Sequence, residues 1–377
     1  MKIIFTNDIG VNLDSANLMC FYFLKDYYPY EVWDVSEIFN RKGAVKNIDE
    51  AISVDTIKEF EQKLTDEVKV QKVVIITNMV EKPWKKLSSI AKRYNVPVIS
   101  TQKNSFYEML QSTAASDLSI NIPIRNRVGS LIRKYRLTRY LYNKARKADV
   151  KYDYLVGAYN SKPETAKKFV KSHNVKYDEY LSNRNSENVI GEKYILFIDC
   201  ALCYHPIDFN KPDPNFSAEH YIQQLNHYFD LVEQKYKMPV VISLHPVSFK
   251  SLSSETFGGR KVSCGNTAQL IHHAEFTISH FSTSLINVIF EKKPAVIISS
   301  KEVISSERRY TQAVANVFAK LSCFAKDSLD NPSLPTPSVK KEKYDKFIDK
   351  YLIDSSRKDM SNGEIILDLL KQIEHEA

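Results

Sequence analysis

The chain has 377 residues, enough for two hydrophobic cores, and its 43% hydrophobic and 26% charged residues make an ordinary globular composition that argues against extended disorder. No apolar run approaches the roughly 20 residues needed to cross a bilayer, and the opening Met1-Lys2-Ile3-Ile4-Phe5-Thr6-Asn7-Asp8 puts polar residues where a signal peptide keeps its apolar stretch. The expectation is a cytoplasmic protein, and the net charge of +8 is telling mainly for where it falls.

In chain order, a strand is expected over 2–6, a helix around 13–25 and a strand near 30–33. A helix over 48–64, a strand over 72–77, a helix over 84–94 and a strand over 96–100 follow. Short β-branched runs alternating with helical segments specify a parallel sheet covered on both faces, a Rossmann-like half. The first strand ends in Asp8 and Gly10; Asp8 reads either as a base toward an acceptor or as the cap of the helix beginning near Asn12.

From Arg125 to Lys147 the chain carries many lysines and arginines, among them Arg133, Arg136 and Arg139, and no acid. Val128, Leu131, Ile132 and Tyr135 follow helical spacing, so this is a basic amphipathic helix, suited to an anionic membrane surface or an acidic acceptor, or simply a solvated face. No aromatic and basic motif of a nucleic-acid reader accompanies it, so nucleic acid is not expected as a partner. A strand over 154–158, a helix over 162–173 and an exposed linker over 182–188 then close a first domain, 1–185.

The second domain, 186–377, repeats the alternation. Strand 194–199 is followed by helix 218–235, strand 239–244, a short strand near Val262, helix 267–273, strand 276–279, helix 284–290 and strand 295–299; helices over 340–353 and 364–375 end the chain. In open parallel sheets ligands bind beyond the carboxyl ends of the strands, which nominates the cleft between two α/β domains and the residues that the strand ends deliver.

Three of those ends are rich in reactive types. Ser279-His280-Phe281-Ser282-Thr283-Ser284 crowds hydroxyls and an imidazole at a helix start, a setting for phosphate; capping accounts for one hydroxyl, not for three. His245-Pro246 ends the buried strand Val240-Val241-Ile242-Ser243 and is placed to donate to a phosphate as it departs, or to pack ahead of a turn. Asp199 ends Tyr194-Ile195-Leu196-Phe197-Ile198 and reads as a base or nucleophile, or as a turn aspartate.

The five cysteines are scattered, as expected of reduced thiols. Cys200 and Cys203 form a C-x-x-C, but without a second pair, and with only His205 nearby, a zinc site is short of ligands. No Asp-x-Asp, Walker loop or G-x-G-x-x-G occurs, so ATPase and dinucleotide oxidoreductase chemistry lose support, and neither metal nor cofactor is expected.

Over roughly 194–300, His245-Pro246, Ile278-Ser279-His280-Phe281-Ser282-Thr283-Ser284 and Glu291-Lys292-Lys293-Pro294-Ala295-Val296 resemble the nucleotide-binding half of GT-B enzymes that build bacterial surface polysaccharides. The resemblance is to β-Kdo transferases and sialyltransferases with their HP and Ser/Thr-Ser motifs. It implies a two-domain GT-B fold, a CMP-activated sugar acid as donor without a metal, and a glycan or glycolipid acceptor in capsule or lipopolysaccharide assembly; the basic helix around 125–147 adds the expectation of peripheral contact at the inner membrane. It further implies that His245 contacts the CMP phosphate, that Ser282, Thr283 and Ser284 hold the phosphate or cytidine, and that Asp199 stands where the family has its nucleophile. The residues themselves add the expectation that Pro246 and His280 belong to the same nucleotide site, with Asp199 as nucleophile or base and Asp8 in reserve. A similar Ser-rich turn occurs in CDP-glycerol-type polyol phosphotransferases of teichoic-acid synthesis, and an inactive scaffold with the same cleft is a third reading.

Overall fold

The computed structural model describes residues 1–7, 21–39, 50–77, 84–101, 152–158, 166–202, 216–301, 311, 314–315, 318 and 324–376. Asp8, Gly10, Cys203, His205 and the basic run with Arg133, Arg136 and Arg139 lie outside them. The described residues divide into two compact units, the second running from Lys176 to Leu352 and the first holding the described residues before Lys176 together with the segment from Ile353 onward. The change of unit comes ten residues ahead of the boundary expected from the polar stretch after Ser182, and the chain's end belongs to the first unit.

The first unit is a parallel sheet of β1 (Lys2–Asn7), β2 (Tyr30–Asp34), β3 (Ile52–Ser53), β4 (Val73–Thr77), β5 (Val98–Thr101), β6 (Tyr152–Gly157) and β7 (Ala166–Lys171). Its order is β3-β2-β1-β4-β5-β6-β7. Helices α1 (Ile57–Val70) and α2 (Trp84–Arg93) cover one face, where Ile4, Trp33 and Ile75 meet Phe60, Leu64, Leu87 and Ile90. The helix expected from residue 48 begins only at Ile57, because the Thr56 hydroxyl accepts the Glu59 N–H at 3.1 Å and ends the extended segment that holds β3.

The helix expected over 162–173 is the strand β7 where the chain is described. Leu155 pairs with Phe169 and Val156 with Val170 in register, so tertiary pairing overrides the helical leaning of a lysine-rich stretch.

In the second unit α3 (Lys176–Asn183) precedes β8 (Ile195–Ile198), α4 (Ala218–Tyr236), β9 (Val240–Leu244), β10 (Val262–Cys264) and α5 (Thr267–His273). After them come β11 (Thr277–Ser279), α6 (Leu285–Phe290), β12 (Ala295–Ser299), β13 (Phe324–Ser328) and α7 (Lys341–Tyr351). The strands run parallel in the order β10-β9-β8-β11-β12-β13. Tyr221, Leu225, Tyr228, Phe229 and Val232 recur three and four apart along α4 and bury one stripe against Phe197, Ile242 and Val296. The expected linker at 182–188 is partly the last turn of α3, and β13 had no counterpart in the sequence reading.

The last helix, α8 (Asn362–His375), covers the other face of the first sheet. Ile366, Leu369, Leu370 and Ile373 pack on Ile3, Phe5, Val74 and Ile76. A capping box starts it: the Ser361 hydroxyl accepts the Glu364 N–H at 3.2 Å and the Glu364 carboxylate accepts the Ser361 N–H at 2.6 Å.

Candidate functional site

Both sheets place their first strand beside their fourth, so successive connections leave β8 in opposite directions and a crevice opens where the carboxyl ends of β8 and β11 diverge. In the second unit that crevice is a cavity of about 540 Å³. Asp199, His245, Pro246, Ser282, Thr283 and Ser284 all line it, so most of the nominated residues come together. Among the described residues, those that line it belong to the second unit.

Asp199 is 8% exposed and both its oxygens are engaged: Oδ1 accepts the Ala201 N–H at 2.9 Å and Oδ2 the His245 N–H at 3.1 Å. One bond shapes the turn after β8, where Ala201 takes φ 54°, and the other ties that turn to the end of β9. Two amide donors offset the charge of a carboxylate that burial would otherwise penalise.

His245 is half-buried. Its Nδ1 accepts the Val247 N–H at 3.3 Å, which leaves Nε2 to carry the ring proton and act as a donor.

The 279–284 turn is latched to β8: the Ser279 hydroxyl donates to the Ile198 carbonyl at 3.0 Å, and the Cys200 thiol to the Phe281 carbonyl at 2.5 Å. Burial pushes that thiol up to about 12, so Cys200 is a packing group and not a thiolate nucleophile. Ser282 Oγ accepts the Ser284 N–H at 3.2 Å, closing a local turn. Among the described residues the Thr283 and Ser284 hydroxyls have no protein partner. The helix that follows has only six residues, so the turn offers hydroxyls and amides more than a helix dipole.

His280 is a correction. It is fully buried, Nδ1 bonds the Ile298 carbonyl at 2.8 Å and Nε2 the Tyr221 hydroxyl at 2.8 Å, and it does not line the cavity. Burial lowers its pKa to about 4, with the Ile298 carbonyl opposing, so it is a neutral core residue that joins β12 to α4. Alternation along β11 explains the difference: Ser279 faces β8 and the next side chain turns into the layer beneath α4.

Two further segments contribute residues that the sequence reading did not single out. The Gly265-Asn266-Thr267 turn after β10 lines the cavity, with Gly265 at φ 87° and the Thr267 hydroxyl 2.7 Å from that of Ser243. The sequence signal was there in a glycine followed by Asn-Thr at a helix start. From α3 come Lys176, Glu179 and Asn183, with Lys176 Nζ 2.5 Å from Glu179 Oε1. Lys176 and Glu179 fall in a stretch with no expected element, and Asn183 within the expected linker.

The lining therefore combines hydroxyls, an imidazole donor and a lysine balanced by a glutamate. Such a surface suits a phosphate ester carried on a polyhydroxylated group better than a bare anion.

No family model matches the chain, and no curated protein does. Among solved structures it is similar to a variant of the wall teichoic acid polymerase TagF, with 14% identity over 99% of this chain and 90% of that one and a TM-score of 0.51. It is also similar to UDP-GlcNAc 2-epimerase from Methanocaldococcus jannaschii (11% identity, 98% and 99% covered, TM-score 0.48) and to MurG from Acinetobacter baumannii (9% identity, 98% and 99% covered, TM-score 0.45). With its two parallel sheets in Rossmann order, the chain has a GT-B-like α/β fold of two units.

Proposed function

We propose that the chain is a transferase of the GT-B kind that takes a nucleotide-activated donor and serves bacterial surface-glycan assembly, with a CMP-activated sugar acid of the Kdo or sialic type as donor. The observation that carries this reading is the shared cavity of His245, Ser282, Thr283 and Ser284 at the sheet's switch point. The phosphate of the leaving nucleotide sits among the 282–284 hydroxyls and the 265–267 turn, and the Nε2–H of His245 donates to it as charge develops. Asp199 holds the His245 backbone in place. Its two amide bonds favour this positioning role over that of nucleophile or base.

A second reading, a CDP-glycerol-type polyol phosphotransferase, is favoured by the likeness to a wall teichoic acid polymerase together with the Ser-rich turn. It uses the same phosphate seat and differs in which bond breaks. Mass analysis of products from CMP-Kdo, CMP-sialic acid and CDP-glycerol with lipid-linked glycan acceptors separates the readings. A sugar adduct supports the first and a phosphopolyol adduct the second. Absence of any product from all three donors, with intact nucleotide binding, identifies a binding scaffold and contradicts both.

A further inference from the structure

Apart from Asp199, whose oxygens serve the backbone, Glu179 is the one carboxylate among the described residues that line the cavity. It is held from two sides: Oε1 receives Lys176 Nζ at 2.5 Å, and Oε2 receives Asn287 Nδ2 at 3.1 Å. Asn287 is 2% exposed and its Oδ1 has no partner. A carbonyl oxygen turned toward the carboxylate would be repelled, so Glu179 dictates the amide's orientation even though the opposite oxygen is then orphaned.

The side chain is still 29% exposed, and each carboxylate oxygen has further acceptor capacity. A fixed negative group in a cavity suited to a phosphate works against affinity unless the ligand donates hydrogen bonds to it. On a nucleotide those donors are the ribose hydroxyls and, for cytosine, the exocyclic amine.

Resting on the nucleotide-donor reading above, we infer that Glu179 is a specificity-determining residue that accepts hydrogen bonds from hydroxyl or amino donors of the nucleoside. Lys176 and Asn287 orient it, and Lys176 balances its charge so that the phosphate is not repelled.

Calorimetric titration of the full chain with CMP, 2′-deoxy-CMP and UMP tests this, comparing the unaltered protein with Glu179→Gln and Glu179→Ala after thermal melts show which variants are folded. A site built around a ligand donor should prefer CMP by about tenfold or more over the analogue lacking that donor. The deoxy arm reports a ribose hydroxyl, the UMP arm the amine. In a folded Glu179→Ala variant the preference should fall to about threefold or less, with Glu179→Gln, which keeps one acceptor oxygen, between it and the unaltered protein. A purely structural ion pair would weaken all three ligands alike and leave the ratios unchanged. Unchanged ratios, or an unaltered protein that binds all three equally, overturn the inference while leaving the nucleotide reading intact. Failure of all three to bind the unaltered protein overturns both.

Discussion

The carboxylate of Asp199 accepts the backbone N–H of His245 at 3.1 Å with one oxygen and that of Ala201 at 2.9 Å with the other, so one side chain at the end of β8 fixes the turn that carries the imidazole at the end of β9. Asparagine cannot replace it, because an amide offers one acceptor oxygen and would set its NH2 group against the second N–H. Asp199→Asn and Asp199→Ala are expected to lose about 2–4 kcal/mol of stability, from two bonds to a buried charged group. Both are also expected to weaken nucleotide binding together with turnover. Denaturant unfolding beside calorimetry checks this; a variant that binds nucleotide with undiminished affinity but is inactive would restore Asp199 to the chemical step.

His245→Gln retains a donor near the end of β9 but not the ring geometry set by the Val247 N–H. Turnover is expected to fall about 100-fold or more, in the range seen when a donor to a developing charge is removed, with little change in the unfolding midpoint. Steady-state kinetics on the accepted donor decides it, and a loss confined to KM would assign the ring to ground-state binding alone.

His280 makes stability fall in mild acid. Burial depresses its folded pKa to about 4 from an ordinary 6.5, so the unfolded chain takes up the proton first. The contribution is complete above pH 6.5 and is lost as pH falls toward 4. Between pH 7 and pH 5 this residue alone should remove about 2 kcal/mol, and a folded His280→Gln variant should flatten that part of the profile. Urea titrations at the two pH values measure it.

Gly363 lies at the start of α8, where an added Cβ would stand 2.6 Å from the Phe23 ring. Gly363→Ala is expected to destabilise the first unit by about 1–3 kcal/mol through overpacking, although alanine is the better helix former. A lowered unfolding midpoint with unchanged nucleotide affinity would match a cavity whose described lining comes from the second unit.

How much was legible in the sequence depended on how local the signal was. Strands such as Val240–Leu244 and Ala295–Ser299 are apolar runs bounded by turns, and the polar residues just past them had to emerge at one sheet edge; the cavity follows from that rule. His280 was misjudged because its neighbours Ser282 and Ser284 share its polarity but not its face. β7 and the inward face of α3 are fixed by partners distant in sequence, Leu155 and Val156 for the strand and Asn287 for Glu179, and no local periodicity encodes them.

The most direct test is calorimetric titration of CMP into the full chain and into a variant carrying Ser282→Ala, Thr283→Ala and Ser284→Ala. The expected result is saturable binding to the unaltered protein and a loss of about 10-fold or more in the folded triple variant, since each hydrogen bond to a charged phosphate contributes about 1.5–3 kcal/mol. Equal affinity in both proteins, or no binding to the unaltered one, would contradict the assignment of this cavity to the phosphate of a nucleotide donor.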